Sequence, residues 1–162
     1  MKATGMIRRI DELGRVVIPK EIRRSMRIKE GEELEIFAQD EGLVLKKYSA
    51  LSDLEEEAAR FASVLAGETD GEVLVADRNR ALAWTGKGEL ALPPAIEQAL
   101  KERRKGVVSC PELPFGSAYV EPILVGGDLM GGVALCKGDY TPSDLGKVRL
   151  VRSLLESQLD RG

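Results

Sequence analysis

No stretch limits what this chain can become as tightly as Asp11-Glu12-Leu13-Gly14-Arg15-Val16-Val17-Ile18-Pro19-Lys20-Glu21-Ile22-Arg23-Arg24. Leu13-Gly14-Arg15 predicts a turn, with glycine supplying a permissive backbone. Val16-Val17-Ile18 is stiff at χ1 and favours extended backbone, so it predicts a strand. Pro19 lacks an N–H, which stops a strand ladder and suits the first position of a helix. Met6-Ile7-Arg8-Arg9-Ile10 predicts a strand before the turn, and a short helix follows over residues 20–27. At about 100° per residue, Ile22 and Met26 fall on one side of that helix and Arg23, Arg24 and Arg27 on the other. The pattern predicts a helix docked on a core while offering a basic ridge.

Charge is concentrated in the same place. Residues 1–29 hold nine basic groups (Lys2, Arg8, Arg9, Arg15, Lys20, Arg23, Arg24, Arg27, Lys29) against three acidic ones (Asp11, Glu12, Glu21), a balance of 9 − 3 = +6 in a chain of net charge −3. Such a run is either a solvated charged surface or an electrostatic footprint suited to a polyanion.

Leu34, Ile36 and Ala38 alternate with Glu33, Glu35 and Phe37, which predicts a strand with an acidic edge. Asp40-Glu41-Gly42 is a hairpin turn and residues 43–48 the returning strand. The first 50 residues thus form a unit that buries too little surface to be comfortably stable alone, and oligomerisation is the expected remedy.

The 162 residues fit one domain or two small ones, and 43% apolar content predicts a folded chain. Histidine is absent, which removes the commonest general base and transition-metal ligand. Cys110 and Cys136 cannot alone build a four-ligand zinc site, so no metal or cofactor is expected. No apolar run reaches the roughly 20 residues of a membrane span, and the N-terminus has no signal-peptide core. The expected location is the cytoplasm, with no membrane partner.

Residues 51–162 read as α-β-β-α-β-β-β-α, an antiparallel sheet with its helices on one side. Ser52-Asp53-Leu54-Glu55 has capping-box spacing and opens a linking helix over residues 51–66, with Leu51, Leu54, Ala58, Phe61, Ala62 and Leu65 as its apolar stripe. Thr141, with Pro142 behind it, caps the last helix, whose stripe is Val148, Val151, Leu155 and Leu159 flanked by Leu150 and Leu154. This half holds 13 basic and 18 acidic groups, 13 − 18 = −5.

On the motif over residues 10–23 and on Gly31-Glu32-Glu33-Leu34-Glu35-Ile36, the first 50 residues resemble the AbrB-type transition-state regulators. Val120-Glu121-Pro122-Ile123-Leu124-Val125 and Gly131-Gly132-Val133-Ala134-Leu135 resemble a GAF domain. The resemblance implies an α+β chain: an N-terminal swapped-hairpin β-barrel shared by two chains (residues 1–50), then a GAF-like antiparallel sheet with flanking helices (residues 51–162). It implies a transcription regulator of the sporulation type that binds double-stranded DNA, as a homodimer through the first domain and a homotetramer through the C-terminal helices. The family's DNA-contacting arginines correspond to Arg8, Arg15, Arg23 and Arg24. Arg9, Lys20 and Arg27 are added as phosphate contacts from charge and helix face. The GAF-like half either holds a small-molecule effector or is a ligand-free scaffold for assembly. Two rivals stand beside this reading. One is an antitoxin-like protein with the same barrel, which the folded periodicity of residues 51–162 disfavours. The other is an enzyme using Cys110, which lacks a visible acid–base partner.

Overall fold

The computed structural model describes residues 3–160, and the chain separates into two compact units, Met1–Tyr48 and Ser49–Gly162. In the first unit, α1 (Lys20–Ser25) follows Pro19, and β1 (Leu34–Gln39) pairs antiparallel with β2 (Gly42–Lys47) over a turn at Asp40-Glu41. No strand forms at residues 6–10 or 16–18, where the sequence predicts strands. A β-favouring sequence fits a surface to pair with, and within a single chain these two runs find none. Ile7, Ile10, Leu13, Val16 and Val17 are accordingly exposed, Ile7 by 86% and Val17 by 70%. The helix is likewise shorter than predicted and buries none of its residues, with Met26 half exposed. The core on which it was expected to dock is not supplied by one copy of the chain.

The second unit opens with a 3₁₀ turn, Ala50–Leu54, capped by Ser49, whose hydroxyl accepts from the Ser52 N–H at 3.3 Å. The capping box predicted at Ser52 does not form, because Ser52 Oγ donates to the Ser49 carbonyl instead. Helix α2 (Glu55–Thr69) then carries the predicted stripe inward, with Ala58, Ala62 and Leu65 buried. It ends at Asp70 in the left-handed conformation, φ 55°. Next come β3 (Glu72–Asp77), β4 (Ala81–Trp84), α3 (Pro94–Lys101), β5 (Gly106–Ser109), β6 (Ser117–Val125), β7 (Asp128–Cys136) and α4 (Pro142–Leu159). The order is the predicted one, and the chain is α+β.

The five strands form one antiparallel sheet in the order β4-β3-β7-β6-β5. Alternation sorts the side chains to its two faces. Val73, Val75, Tyr119, Ile123, Val133 and Leu135 pack with α2 and α4, whereas Leu74, Ala76, Val120, Ala134 and Cys136 pack with Ile96, Ala99 and Leu100 of α3. Helices therefore cover both faces, which corrects the one-sided expectation. The order of elements does not encode which face a connecting helix takes. Thr141 caps α4 as predicted, and Asp144 makes the cap reciprocal. Among the described residues no helix is long and apolar enough to cross a membrane.

Candidate nucleic-acid interface

The predicted contacts are set out along the first unit on three pieces of backbone. The first is the turn from Asp11 to Arg15. The Asp11 N–H donates to the Arg15 carbonyl at 3.0 Å and the Gly14 N–H to the Asp11 carbonyl at 3.1 Å. Gly14 sits at φ 78°, a conformation open to glycine at no steric cost. Asp11 closes the turn a second time with its side chain. Its Oδ1 accepts from the Leu13 N–H at 2.9 Å and from the Arg15 N–H at 2.8 Å, and its Oδ2 accepts from Arg15 Nε at 2.8 Å. The bond from the Arg15 backbone, followed by that from its guanidinium, holds the Asp11 carboxyl below its ordinary value. Arg15 remains 72% exposed at its side chain.

The second piece is the run before the turn, where Arg8 and Arg9 are exposed and Arg8 Nη1 donates to the Ile7 carbonyl at 2.8 Å. The third is α1, which Pro19 starts and the Ile28 N–H to Arg23 carbonyl bond closes. Arg23 Nε reaches back to the Ile18 carbonyl at 3.1 Å, while Lys20 and Arg24 stand exposed with no side-chain bond among the described residues. Arg27 follows at φ 54°, its carbonyl taking the ammonium of Lys47 at 3.0 Å.

The sequence reading names the cations as candidate contacts and leaves Asp11 out. The signal was present: an aspartate four residues before an arginine, across a glycine turn.

In the second unit, both cysteines are buried and carry unactivated thiols. Burial, then the Glu112 carboxylate that accepts from Cys110 Sγ at 3.2 Å, pushes the Cys110 thiol up to about 11. Burial pushes Cys136 up to about 12. A nucleophilic thiol needs the opposite shift. On the α3 face of the sheet, Leu100 lies so close to Gly132 that a Cβ there would collide with it. An open groove of about 630 Å³ lies elsewhere, lined by Ser52, Asp53, Glu55, Glu56, Glu57, Ala59 and Leu82. Its carboxylates disfavour an anionic guest. No three metal-ligating side chains converge among the described residues.

Comparison with known proteins gives a consistent set of relatives. Residues 7–52 match the family "Antidote-toxin recognition MazE, bacterial antitoxin". Stage V sporulation protein T of Bacillus subtilis is 37% identical over 160 residues, covering 90% of each chain. The transition state regulatory protein AbrB of the same species is 58% identical over 48 residues, 30% of this chain and 50% of that one. The solved N-terminal DNA recognition domain of AbrB is 57% identical, covers 30% of this chain and 92% of that one, and has a TM-score of 0.27. A GAF domain/HD domain protein from Geobacter sulfurreducens is 17% identical over 72% of this chain and all of that one, with a TM-score of 0.49.

Proposed function

The chain belongs to the stage V sporulation protein T family of AbrB-like regulators, and from that premise we propose that it is a homo-oligomeric regulator of transcription that grips duplex DNA with its first unit. One observation carries the reading. Arg15 and Arg23 are each tied down through Nε, to Asp11 and to the Ile18 carbonyl, while their terminal nitrogens have no partner among the described residues. A guanidinium held this way keeps a donor fork for phosphate or a guanine edge. Arg8 and Arg24 complete the set, and Arg9, Lys20 and Arg27 add phosphate contacts. The helix is too short to fill a major groove with base-reading side chains, so DNA shape and deformability supply much of the preference.

Two copies pair through the exposed apolar residues of the first unit, fusing their leading segments into a barrel. Val64 on α2 and Leu150 and Leu154 on α4 are exposed apolar groups on the second unit, and they support joining two such pairs into a tetramer. The GAF-like unit serves this assembly. By analogy with the B. subtilis relative, the regulated genes are of the sporulation type, and the protein acts on the nucleoid in the cytoplasm.

The MazE match favours a second reading, an antitoxin. Against it, residues 49–160 fold around their own core rather than trailing as an extended toxin-binding tail.

Anisotropy titrations of the full chain on a labelled duplex test the proposal. Arg23→Ala and Arg15→Ala each weaken binding and flatten the salt dependence by about 1.8 per dimer, roughly 0.9 for each phosphate given up. A wild-type affinity indifferent to salt, or absent in dilute buffer, sinks it.

A further inference from the structure

We infer that Asp11 is a positioning residue for the DNA contact, an acidic side chain that strengthens binding to a polyanion by holding Arg15 at Nε and turning its terminal nitrogens outward. The inference rests on the reading of Arg15 as a phosphate or base contact.

Coulomb's law alone makes a carboxylate in this segment a liability, because it repels the phosphates that the surrounding cations attract. The geometry shows what offsets that repulsion. Both carboxylate oxygens are engaged, Oδ1 by the N–H groups of Leu13 and Arg15 and Oδ2 by Arg15 Nε at 2.8 Å. The turn and the side chain are therefore fixed by one residue. A guanidinium has five N–H donors, and only the Nε donor is spent on Asp11, which leaves the terminal pair in fork geometry. An arginine free to sample its rotamers gives up that freedom on meeting DNA, and Asp11 removes this cost beforehand. Pairing with Asp11 also screens the carboxylate's own charge.

The two accounts of Asp11 differ in sign, which makes the test sharp. Asp11→Asn keeps an Oδ1 acceptor for the turn and loses the charged grip on Nε. If Asp11 only repels phosphate, D11N tightens DNA binding; if it positions Arg15, D11N weakens it by roughly fivefold or more, two side chains being freed per dimer. The experiment measures Kd and its salt slope for the full chain on a short labelled duplex enriched from a random pool. Wild type is compared with D11N, R15A and D11N/R15A, each checked for an unchanged melting temperature. D11N is expected to weaken binding and flatten the slope. In the R15A background the same change is expected to tighten binding, since only the repulsion is then removed. Should D11N perturb the fold, Arg15→Lys provides an independent arm. Lysine leaves the turn and charge in place but has no Nε–fork pair to orient, so R15K is expected to lose as much as D11N.

D11N or R15K binding as tightly as wild type, while R15A weakens, overturns the inference alone. R15A binding like wild type overturns it together with the reading of Arg15 as a contact.

Discussion

A methyl group added at Gly131 would meet main chain on the neighbouring strand. It would collide with the Ala76 carbonyl oxygen and stand 2.9 Å from the Asp77 Cα and 2.8 Å from a Leu51 methyl. Backbone in the middle of a sheet cannot retreat as a side chain can. Gly131→Ala is expected to lower the unfolding free energy by about 1–3 kcal/mol in urea denaturation. Gly146, in α4, has open space around it, and Gly146→Ala is expected to raise stability by about 0.5–1 kcal/mol in the same assay. At this scale the sequence was legible in part. The family resemblance singled out Arg8, Arg15, Arg23 and Arg24 as candidate contacts. It did not reveal that Arg15 and Arg23 are tied through Nε, because a tether is a distance between groups and not a composition. The thiols make a residue-scale prediction as well: with pKa values of about 11 and about 12, Cys110 and Cys136 are expected to stay unmodified by a thiol reagent at neutral pH until the chain is unfolded.

At the scale of elements, the strongest local device is the start of α4. The Thr141 N–H donates to Asp144 Oδ2 at 3.0 Å, the Lys137 ammonium donates to the same oxygen at 2.9 Å, and the Asp144 N–H returns to Thr141 Oγ1 at 3.1 Å. The bond from Thr141, then the one from Lys137, holds the Asp144 carboxyl below its ordinary value. A depressed folded-state pKa contributes stability above the unfolded value, and that stability is lost as pH falls through the lowered one. Asp144→Ala is therefore expected to cost about 1–2 kcal/mol at neutral pH. The gap from wild type should close only below about pH 4, followed by thermal melts across pH. This cap was legible because Thr141, Pro142 and Asp144 satisfy a local rule. The cap at Ser52 was misplaced because the chain enters α2 through a 3₁₀ turn, and Ser49 governs that entry. The unpaired runs at residues 6–10 and 16–18 mark the limit of local rules, since β-preference without a surface to pair with does not make a strand.

For the whole molecule, the division of labour follows charge and exposure. A cationic leading unit lacks a closed core, and an acidic trailing unit has two apolar layers around one sheet. On the assembly proposed above, Leu150→Glu with Leu154→Glu is expected to reduce the particle from four chains to two in light scattering while leaving DNA binding by each pair intact. Val17→Asp acts one level down, dissolving the pair and abolishing DNA binding, with the second unit's melting unchanged.

The bare apolar side chains of the leading unit carry a physiological corollary. If that unit completes itself only against a twin, the amount of active regulator rises with the second power of the amount synthesised at low dose. A modest change in expression then becomes a steep change in operator occupancy. A cell could throw such a switch by doubling or halving output from one gene, with no ligand or chemical modification required.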